Sequence, residues 1–232
     1  MSERVHVPTE SGEMPAQLWL PAAGTGPGIV LCQEIFGLSP YIARRADDLA
    51  ALGYVVLAPE FFWRLGVSTV SEQDGGLERG IALANQLDWP LTVRDGVAAV
   101  QWLRERDEVT GPVGLLGFCF GGGLAFNIAA KEPVSALVSY YGSALPMLLE
   151  LAPRVTAPSL HHFGTADSFI DQESVAKVRA AVTASPATVF HEYEGADHAF
   201  DNPDLPWHHP DASVLAWDRT VAFLQEHLPV GS

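Results

Sequence analysis

The sequence predicts an α/β fold with a mostly parallel central sheet and helices on both faces. Short apolar runs alternate with amphipathic stretches along the chain, a pattern typical of α/β units around a buried sheet. The 232 residues are 48 % hydrophobic and 18 % charged, enough for one large core. No repeat, linker or low-complexity tract interrupts the pattern, so we expect a single domain over residues 1–232.

The strands are predicted from apolar runs that end at turn residues. Residues 16–20 alternate in polarity and stop at Pro21, which indicates an early, partly exposed strand. Residues 28–33 are apolar almost throughout, as in a parallel strand buried on both faces. The other predicted strands cover 54–58, 112–116, 135–140, 159–163 and 187–193.

The helices are predicted from capping residues and from apolar side chains at helical spacing. Ser39 is the expected N-cap of a helix to Leu52, with Pro40 at its first position and Gly53 as its stop. Residues 60–90 have no strong hydrophobic periodicity. We expect an excursion of the chain away from the sheet, with helical parts. The other predicted helices cover 92–106, 122–130, 172–184 and 212–227.

Composition excludes several classes of function. The formal net charge of −15 argues against nucleic acid and anionic membranes as partners, because both require a basic surface. No apolar run reaches the roughly 18 residues of a membrane span, and the first residues lack a signal-peptide core. The two cysteines, Cys32 and Cys119, argue against a disulfide framework. We expect a cytoplasmic protein, either a monomer or a weak homodimer.

The pentapeptide 117–121 has the form Gly-x-nucleophile-x-Gly, with Cys119 at the nucleophile position. It lies between the predicted strand 112–116 and the predicted helix 122–130, which is the context that a nucleophile elbow requires. The helix N-terminus would favour a thiolate. The alternative interpretation is a buried cysteine beside a glycine-rich turn.

A thiolate nucleophile needs a base and an orienting acid. Asp167 and His198 each lie just past a predicted strand, and active residues of open α/β sheets gather at these strand ends. The chain order nucleophile, acid, histidine is that of α/β-hydrolases. Taken singly, Asp167 could cap a helix, His198 could be structural, and Asp197 could replace Asp167. The conjunction favours a triad of Cys119, Asp167 and His198.

An oxyanion hole would come from the backbone N–H of Phe120 and that of Ile35, in the loop after strand 28–33. Glu34 then lies beside this hole, where its charge would oppose that of a thiolate. The alternative for Glu34 is a surface charge at a loop edge.

Four segments together resemble the dienelactone hydrolase family: 33–37, 117–122, 164–167 and 197–200. The resemblance spans roughly residues 13–228, with the same order and spacing. It implies an α/β-hydrolase fold without a metal or organic cofactor, and a cysteine that attacks an ester or enol-lactone carbonyl. It also implies that His198 acts as base and acid, that Asp167 orients it, and that Glu34 holds the resting Cys119 as a neutral thiol until substrate displaces the glutamate.

The sequence departs from the family where the substrate would bind. The family has an arginine a few residues after the catalytic histidine, but residues 200–203 here read Phe-Asp-Asn-Pro. A second family arginine matches Leu77, with Arg79 nearby. We therefore expect a less anionic small ester or lactone than dienelactone. Candidate pocket residues, of which the aromatic ones could equally belong to the core, are Phe36, Phe62, Trp63, Arg79 and Trp89.

Alternative functions remain open at this point. The same triad could serve a broader carboxylesterase or thioesterase, or the pocket could belong to a non-catalytic binding protein. Cys119 could also be a redox thiol, although Cys32 is expected to be buried mid-strand. His161 and His162 should face opposite sides of a strand, and His208 and His209 lie in a loop, so we expect no metal site.

Overall fold

The computed structural model describes residues 2–73 and 75–231 and contains an eight-stranded sheet of order β1-β2-β4-β3-β5-β6-β7-β8. β1 pairs antiparallel with β2, and β2 antiparallel with β4, whereas all remaining neighbours are parallel. The strands are β1 (Ser2–Thr9), β2 (Gly12–Trp19), β3 (Gly26–Cys32), β4 (Val55–Pro59), β5 (Val109–Phe118), β6 (Leu137–Tyr140), β7 (Ser159–Gly164) and β8 (Thr188–Tyr193).

Six α-helices in the described residues pack around this sheet, which confirms the predicted α/β architecture. They are α1 (Pro40–Ala51), α2 (Gly76–Ala84), α3 (Trp89–Arg104), α4 (Phe120–Ala129), α5 (Gln172–Val182) and α6 (Pro210–His227). Short 3₁₀ turns cover Trp63–Leu65, Leu145–Met147 and Leu149–Arg154. No helix within the described ranges is long and apolar enough to cross a membrane.

Several elements differ from their prediction, among them β2 and β5, which begin at Gly12 and Val109, about four and three residues earlier than expected. For β1 and α3 the reasons are identifiable. β1 was not predicted, because Val7 is its only fully buried residue and the strand carries little apolar signal. It is held instead by its ladder with β2, which runs from Ser2 opposite Trp19 to Thr9 opposite Gly12. α3 begins at Trp89, three residues earlier than expected, because the Asp88 carboxylate accepts a hydrogen bond from the N–H of Leu91 and caps the helix.

The core runs through the parallel strands. Every residue of β3, β4, β6 and β7 is buried, as expected for strands covered on both faces. Because β3, β5, β6, β7 and β8 run in parallel, the loops that follow them emerge at one edge of the sheet. That edge carries every residue of the predicted triad.

Candidate active site

Cys119 lies on a sharp turn between β5 and α4. Its backbone has φ 54° and ψ −117°, a region that costs a non-glycine residue of order 1–3 kcal/mol. A Cβ at Gly117 would lie 2.1 Å from the carbonyl oxygen of Gly121, and one at Gly121 would lie 2.3 Å from that of Cys32. Only glycine fits at both positions, so the turn has the strand–elbow–helix geometry expected from the pentapeptide.

The structure brings Cys119, His198 and Asp167 together in one chain of contacts. Cys119 Sγ lies 3.1 Å from His198 Nε2, and His198 Nδ1 lies 2.9 Å from Asp167 Oδ2. The second oxygen of Asp167 accepts hydrogen bonds from the N–H groups of Phe169 (2.9 Å) and Ile170 (2.8 Å). The carboxylate is thereby fixed towards the imidazole, and all three side chains of the triad are buried.

Asp197, the alternative acid, binds backbone N–H groups and not the imidazole of His198. Its Oδ1 accepts hydrogen bonds from the backbone N–H groups of Ser168 (2.7 Å) and His198 (2.6 Å). Asp197 therefore joins the loops after β7 and β8 and does not contact the imidazole nitrogens. The geometry selects Asp167 as the partner of His198.

The contacts of His198 favour its protonated form. Burial alone would lower the pKa of His198, but the neighbouring Cys119 and the hydrogen bond to Asp167 raise this pKa to about 10. The N-terminus of α4 starts directly after Cys119, and a helix N-terminus favours negative charge. The sulfur therefore lies within reach of both the imidazole and the start of a helix.

Two backbone N–H groups belong to residues that line one cavity, Ile35 and Phe120. We find no hydrogen bond from the N–H of Phe120 or of Ile35 to any described residue. Phe120 is the first residue of α4, and Ile35 lies in the loop after β3, which turns back where the N–H of Gly37 donates to the carbonyl of Glu34 (3.1 Å). Donors of this kind can stabilise an oxyanion.

A cavity of about 450 Å³ opens next to these donors. Its lining among the described residues contains no charged side chain. Ser143, whose Oγ lies 4.0 Å from Cys119 Sγ, connects the cavity to the nucleophile. The lining residues are Ile35, Ile81, Ala84, Asn85, Trp89, Phe120, Ser143, Ala144, Met147 and Leu148.

Glu34 is buried, with 1 % exposure, and is held by other residues than Cys119. Asn202 Nδ2 donates to its Oε2 (3.0 Å), and the hydroxyl of Tyr141 donates to its Oε1 (3.5 Å). Burial raises the pKa of Glu34 to about 8; the Asn202 hydrogen bond lowers it, and the charge of Glu72 adds to the increase.

The expected resting contact between Glu34 and Cys119 is not what the structure contains. Within residues 2–73 and 75–231, no hydrogen bond joins the two side chains, and Cys119 Sγ is paired with His198. Both Glu34 oxygens are instead bound by other donors, Oε1 by Tyr141 and Oε2 by Asn202.

A model of the dienelactone hydrolase family matches residues 14–228 of this chain. The chain belongs to the dienelactone hydrolase family. Among its relatives is a carboxymethylenebutenolidase from a Pseudomonas species, 35 % identical over 95 % of this chain and 93 % of that protein. Another, from Pseudomonas putida, is 33 % identical over 88 % of this chain and 87 % of that protein.

Solved structures agree with this assignment. One from Klebsiella pneumoniae, assigned provisionally as a dienelactone hydrolase, is 26 % identical, with a TM-score of 0.85 over 97 % of this chain and 98 % of that one. The predicted family and its α/β-hydrolase fold are thus confirmed. The chain is a hydrolase that acts on ester or lactone bonds of small molecules.

Only one of the five predicted pocket residues lines the cavity. Trp89 does so, with its Nε1 donating to Asn127 Oδ1 (2.9 Å). Phe36 and Phe62 are instead buried in apolar clusters, where their rings pack against other hydrophobic side chains.

Trp63 and Arg79 also lie away from the cavity lining. Trp63 Nε1 donates to Asp95 Oδ2 (3.1 Å) on α3, and this contact draws its ring towards that helix. Arg79 is an exposed residue of α2. It therefore supplies no charge to the cavity. The α2 residues that line the cavity are Ile81 and Ala84.

The prediction missed two residues that follow β6, Tyr141 and Ser143. Tyr141 packs against the His198 ring at 5.1 Å between centroids, and Ser143 contacts the sulfur. A signal was present, because both follow a strand at the sheet edge that carries the triad. Asp201, the added acid in the loop, is not part of the cavity; it is buried and bound by Arg45.

The histidine pairs contact protein groups. His162 Nδ1 lies 2.7 Å from the hydroxyl of Tyr193, and His209 Nδ1 accepts from the N–H of Ala212 (3.3 Å) at the start of α6. His161 is buried between Phe126 and Phe190. The part of the chain that the structure describes contains no group of three or more side chains arranged to hold a metal ion.

Proposed function

We propose that this chain hydrolyses small, uncharged carboxylic esters or lactones through an acyl-enzyme on Cys119. The observation that carries the proposal is the contact of Cys119 Sγ with His198 Nε2 at 3.1 Å, backed by Asp167 at 2.9 Å. Nucleophile, base and orienting acid are within hydrogen-bond reach of one another, as covalent catalysis requires.

The first half-reaction forms a thioester. The Cys119 thiolate attacks the carbonyl carbon, a C–S bond forms, and the carbonyl oxygen becomes an oxyanion next to the N–H groups of Ile35 and Phe120. When the tetrahedral intermediate collapses, the C–O bond breaks. The leaving oxygen takes that electron pair and the proton of His198 Nε2, and the acyl group remains on sulfur.

The second half-reaction regenerates the enzyme. Neutral His198 accepts a proton from water while the water oxygen attacks the thioester carbonyl. The C–S bond then breaks, a carboxylic acid leaves, and Cys119 returns as a thiolate beside imidazolium. Asp167 holds the Nδ1 proton throughout, which keeps Nε2 directed at the reacting atoms.

The cavity supports an uncharged acyl group. The name carboxymethylenebutenolidase, carried by the relatives, specifies a lactone with a carboxyl group. In this chain the cavity has no cationic side chain in its lining, and its walls are mainly apolar. An anion would lose its hydration there without a compensating charge. The same observation favours a broader carboxylesterase or thioesterase as the second candidate.

The test compares the wild type with Cys119→Ala on dienelactone and on p-nitrophenyl acetate and butyrate. We expect Cys119→Ala to lose about a thousandfold or more in kcat/KM on every substrate, because the nucleophile is absent. The matched control is Cys32→Ala, which alters the other free cysteine, buried in β3. Mass spectrometry should detect an acyl adduct on Cys119. Full activity in Cys119→Ala would contradict the proposal.

We also propose a single domain, a cytoplasmic location and a monomer or weak homodimer. The single continuous sheet supports the first point, and two unpaired cysteines fit a reducing compartment. Sedimentation velocity over a range of protein concentrations would test the oligomeric state, and a stable tetramer would contradict it.

A further inference from the structure

A second apolar surface lies beside the triad, outside the cavity. The ring of Phe169 packs against the imidazole of His198 with 4.8 Å between centroids, and Trp207 meets Phe169 edge-on at 5.5 Å and 83°. Phe169 is 46 % exposed although it touches a buried catalytic group. We call Phe169 and Trp207 the aromatic shelf. An exposed aromatic ring in contact with the general acid requires an explanation.

The shelf and the cavity are formed by different parts of the sheet edge around the sulfur. The cavity lining includes Ile35 after β3, Phe120 after β5 and residues 143–148 after β6. The shelf follows the next two strands, since β7 leads to Phe169 and β8 leads to His198 and then Trp207. A substrate bound at Cys119 would therefore meet two separate apolar surfaces.

The backbone fixes both residues of the shelf. The N–H of Phe169 donates to Asp167 Oδ1 (2.9 Å), so the ring position depends on the same carboxylate that orients His198. Next to Trp207, the N–H of His208 donates to the carbonyl of Leu205 (3.2 Å), and the N–H of His209 donates to that of Phe200 (2.9 Å). The shelf is a preformed surface, and preformed surfaces bind at low ordering cost.

We propose that the aromatic shelf is the leaving-group subsite and selects esters of aromatic alcohols. The inference rests on the proposed function. In the first half-reaction, the leaving oxygen receives its proton from His198 Nε2, so the group attached to that oxygen must lie on the His198 side of the sulfur. There the surface that it meets is Phe169. The edge-to-face pair can accept a third ring in the offset or edge geometry that aromatic groups prefer.

The test uses two esters with the same acyl group and leaving alcohols of similar acidity, phenyl acetate and hexafluoroisopropyl acetate. We expect Phe169→Leu to lower kcat/KM for phenyl acetate about tenfold and Trp207→Ala about threefold, with changes of about twofold or less for the fluoroalkyl ester. Trp207→Ala is informative because Trp207 contacts Phe169 and not the His198 ring. The control is Val214→Ala, at an exposed position of α6, which should affect neither ester.

Several outcomes would overturn the inference. Equal losses on both esters would mean that Phe169 acts only by packing on His198, and unchanged rates would mean that the shelf binds nothing in the reaction. The rate of Cys119 alkylation by iodoacetamide should be the same in every variant, since each keeps Cys119, His198 and Asp167. A wild type that hydrolyses neither ester would instead contradict the proposed function, before any variant is compared.

Discussion

Asn202 shows how a single residue determines the charge of this site. Its Nδ2 donates to both Glu34 Oε2 (3.0 Å) and Glu72 Oε1 (3.3 Å), and its Oδ1 accepts from the N–H of Asp204 (3.0 Å). The amide orientation is therefore determined, with the NH₂ group towards two carboxyl groups. At this position the chain has a neutral residue that binds protein carboxyls and has no positive charge to offer a substrate.

The raised pKa of Glu34 predicts how stability depends on pH. The folded-state pKa is about 8 against an ordinary value of 4.5, so between these pH values the unfolded chain has released a proton that the folded chain keeps. The unfolded state binds fewer protons, and stability falls as pH rises across this window. Glu34→Gln removes this contribution. Its stability relative to wild type should rise by at most about 1.4 kcal/mol per pH unit from pH 5 to 8.

Urea titrations of both proteins at several pH values measure this difference. Glu78→Gln is the matched control, because Glu78 is exposed on α2 and should show no such trend. A Glu34→Gln stability gain that is constant across pH would contradict the assignment of the raised pKa to Glu34.

At the scale of elements, the loop after β8 is anchored to α1 by two Arg–Asp pairs of different burial. Asp201 is fully buried and accepts from Arg45 Nε (2.9 Å) and Nη2 (2.7 Å), from Ser213 Oγ (2.8 Å) and from the hydroxyl of Tyr41. The Arg44–Asp204 pair is largely exposed. The buried pair connects α1, α6 and the loop that carries His198 and Asn202.

Asp201→Asn should destabilise the protein by about 3–5 kcal/mol, because it leaves the mostly buried Arg45 guanidinium without its counter-charge. Asp204→Asn, in the same loop, should cost about 1 kcal/mol or less, since its pair is in solvent. Denaturant unfolding of the two variants and the wild type measures both costs. Equal costs for the two variants would show that the Asp201 cluster does not anchor the loop.

Elements were predictable where one local signal was strong. β3 and β4 are apolar throughout, and Ser39 with Pro40 marks the start of α1, where the Ser39 hydroxyl accepts from the N–H of Ile42. β1 was not predictable, because its stability comes from pairing with β2 and not from burial. The start of α3 required recognition of Asp88 as a cap in a segment without clear periodicity.

For the whole molecule, the sheet order explains why the proximity of Cys119, Asp167 and His198 could be predicted while the lining of the cavity could not. The triad residues each follow a parallel strand, and parallel strands place their following loops at one edge whatever the details of packing. The cavity wall instead combines α2, the start of α3 and residues 143–148. Whether these segments come together depends on how residues 60–90 pack. No local sequence pattern in residues 60–90 predicts that packing.

The net charge of −15 and the uncharged cavity together predict discrimination against anionic substrates. p-Nitrophenyl butyrate and the monoanion p-nitrophenyl succinate share a leaving group and differ in the charge of the acyl end. We expect kcat/KM to be about tenfold or more higher for the butyrate at low salt, since the anion meets a repulsive field and loses hydration in the cavity. Salt screens the field but not the desolvation.

Raising the ionic strength should therefore increase kcat/KM for the succinate and leave that for the butyrate nearly unchanged, while the butyrate stays the better substrate at high salt. The residual preference isolates the contribution of the cavity from that of the overall charge. If the succinate is hydrolysed as well as the butyrate at low salt, a cation must reach the acyl group during catalysis, and the uncharged cavity would not define the substrate class.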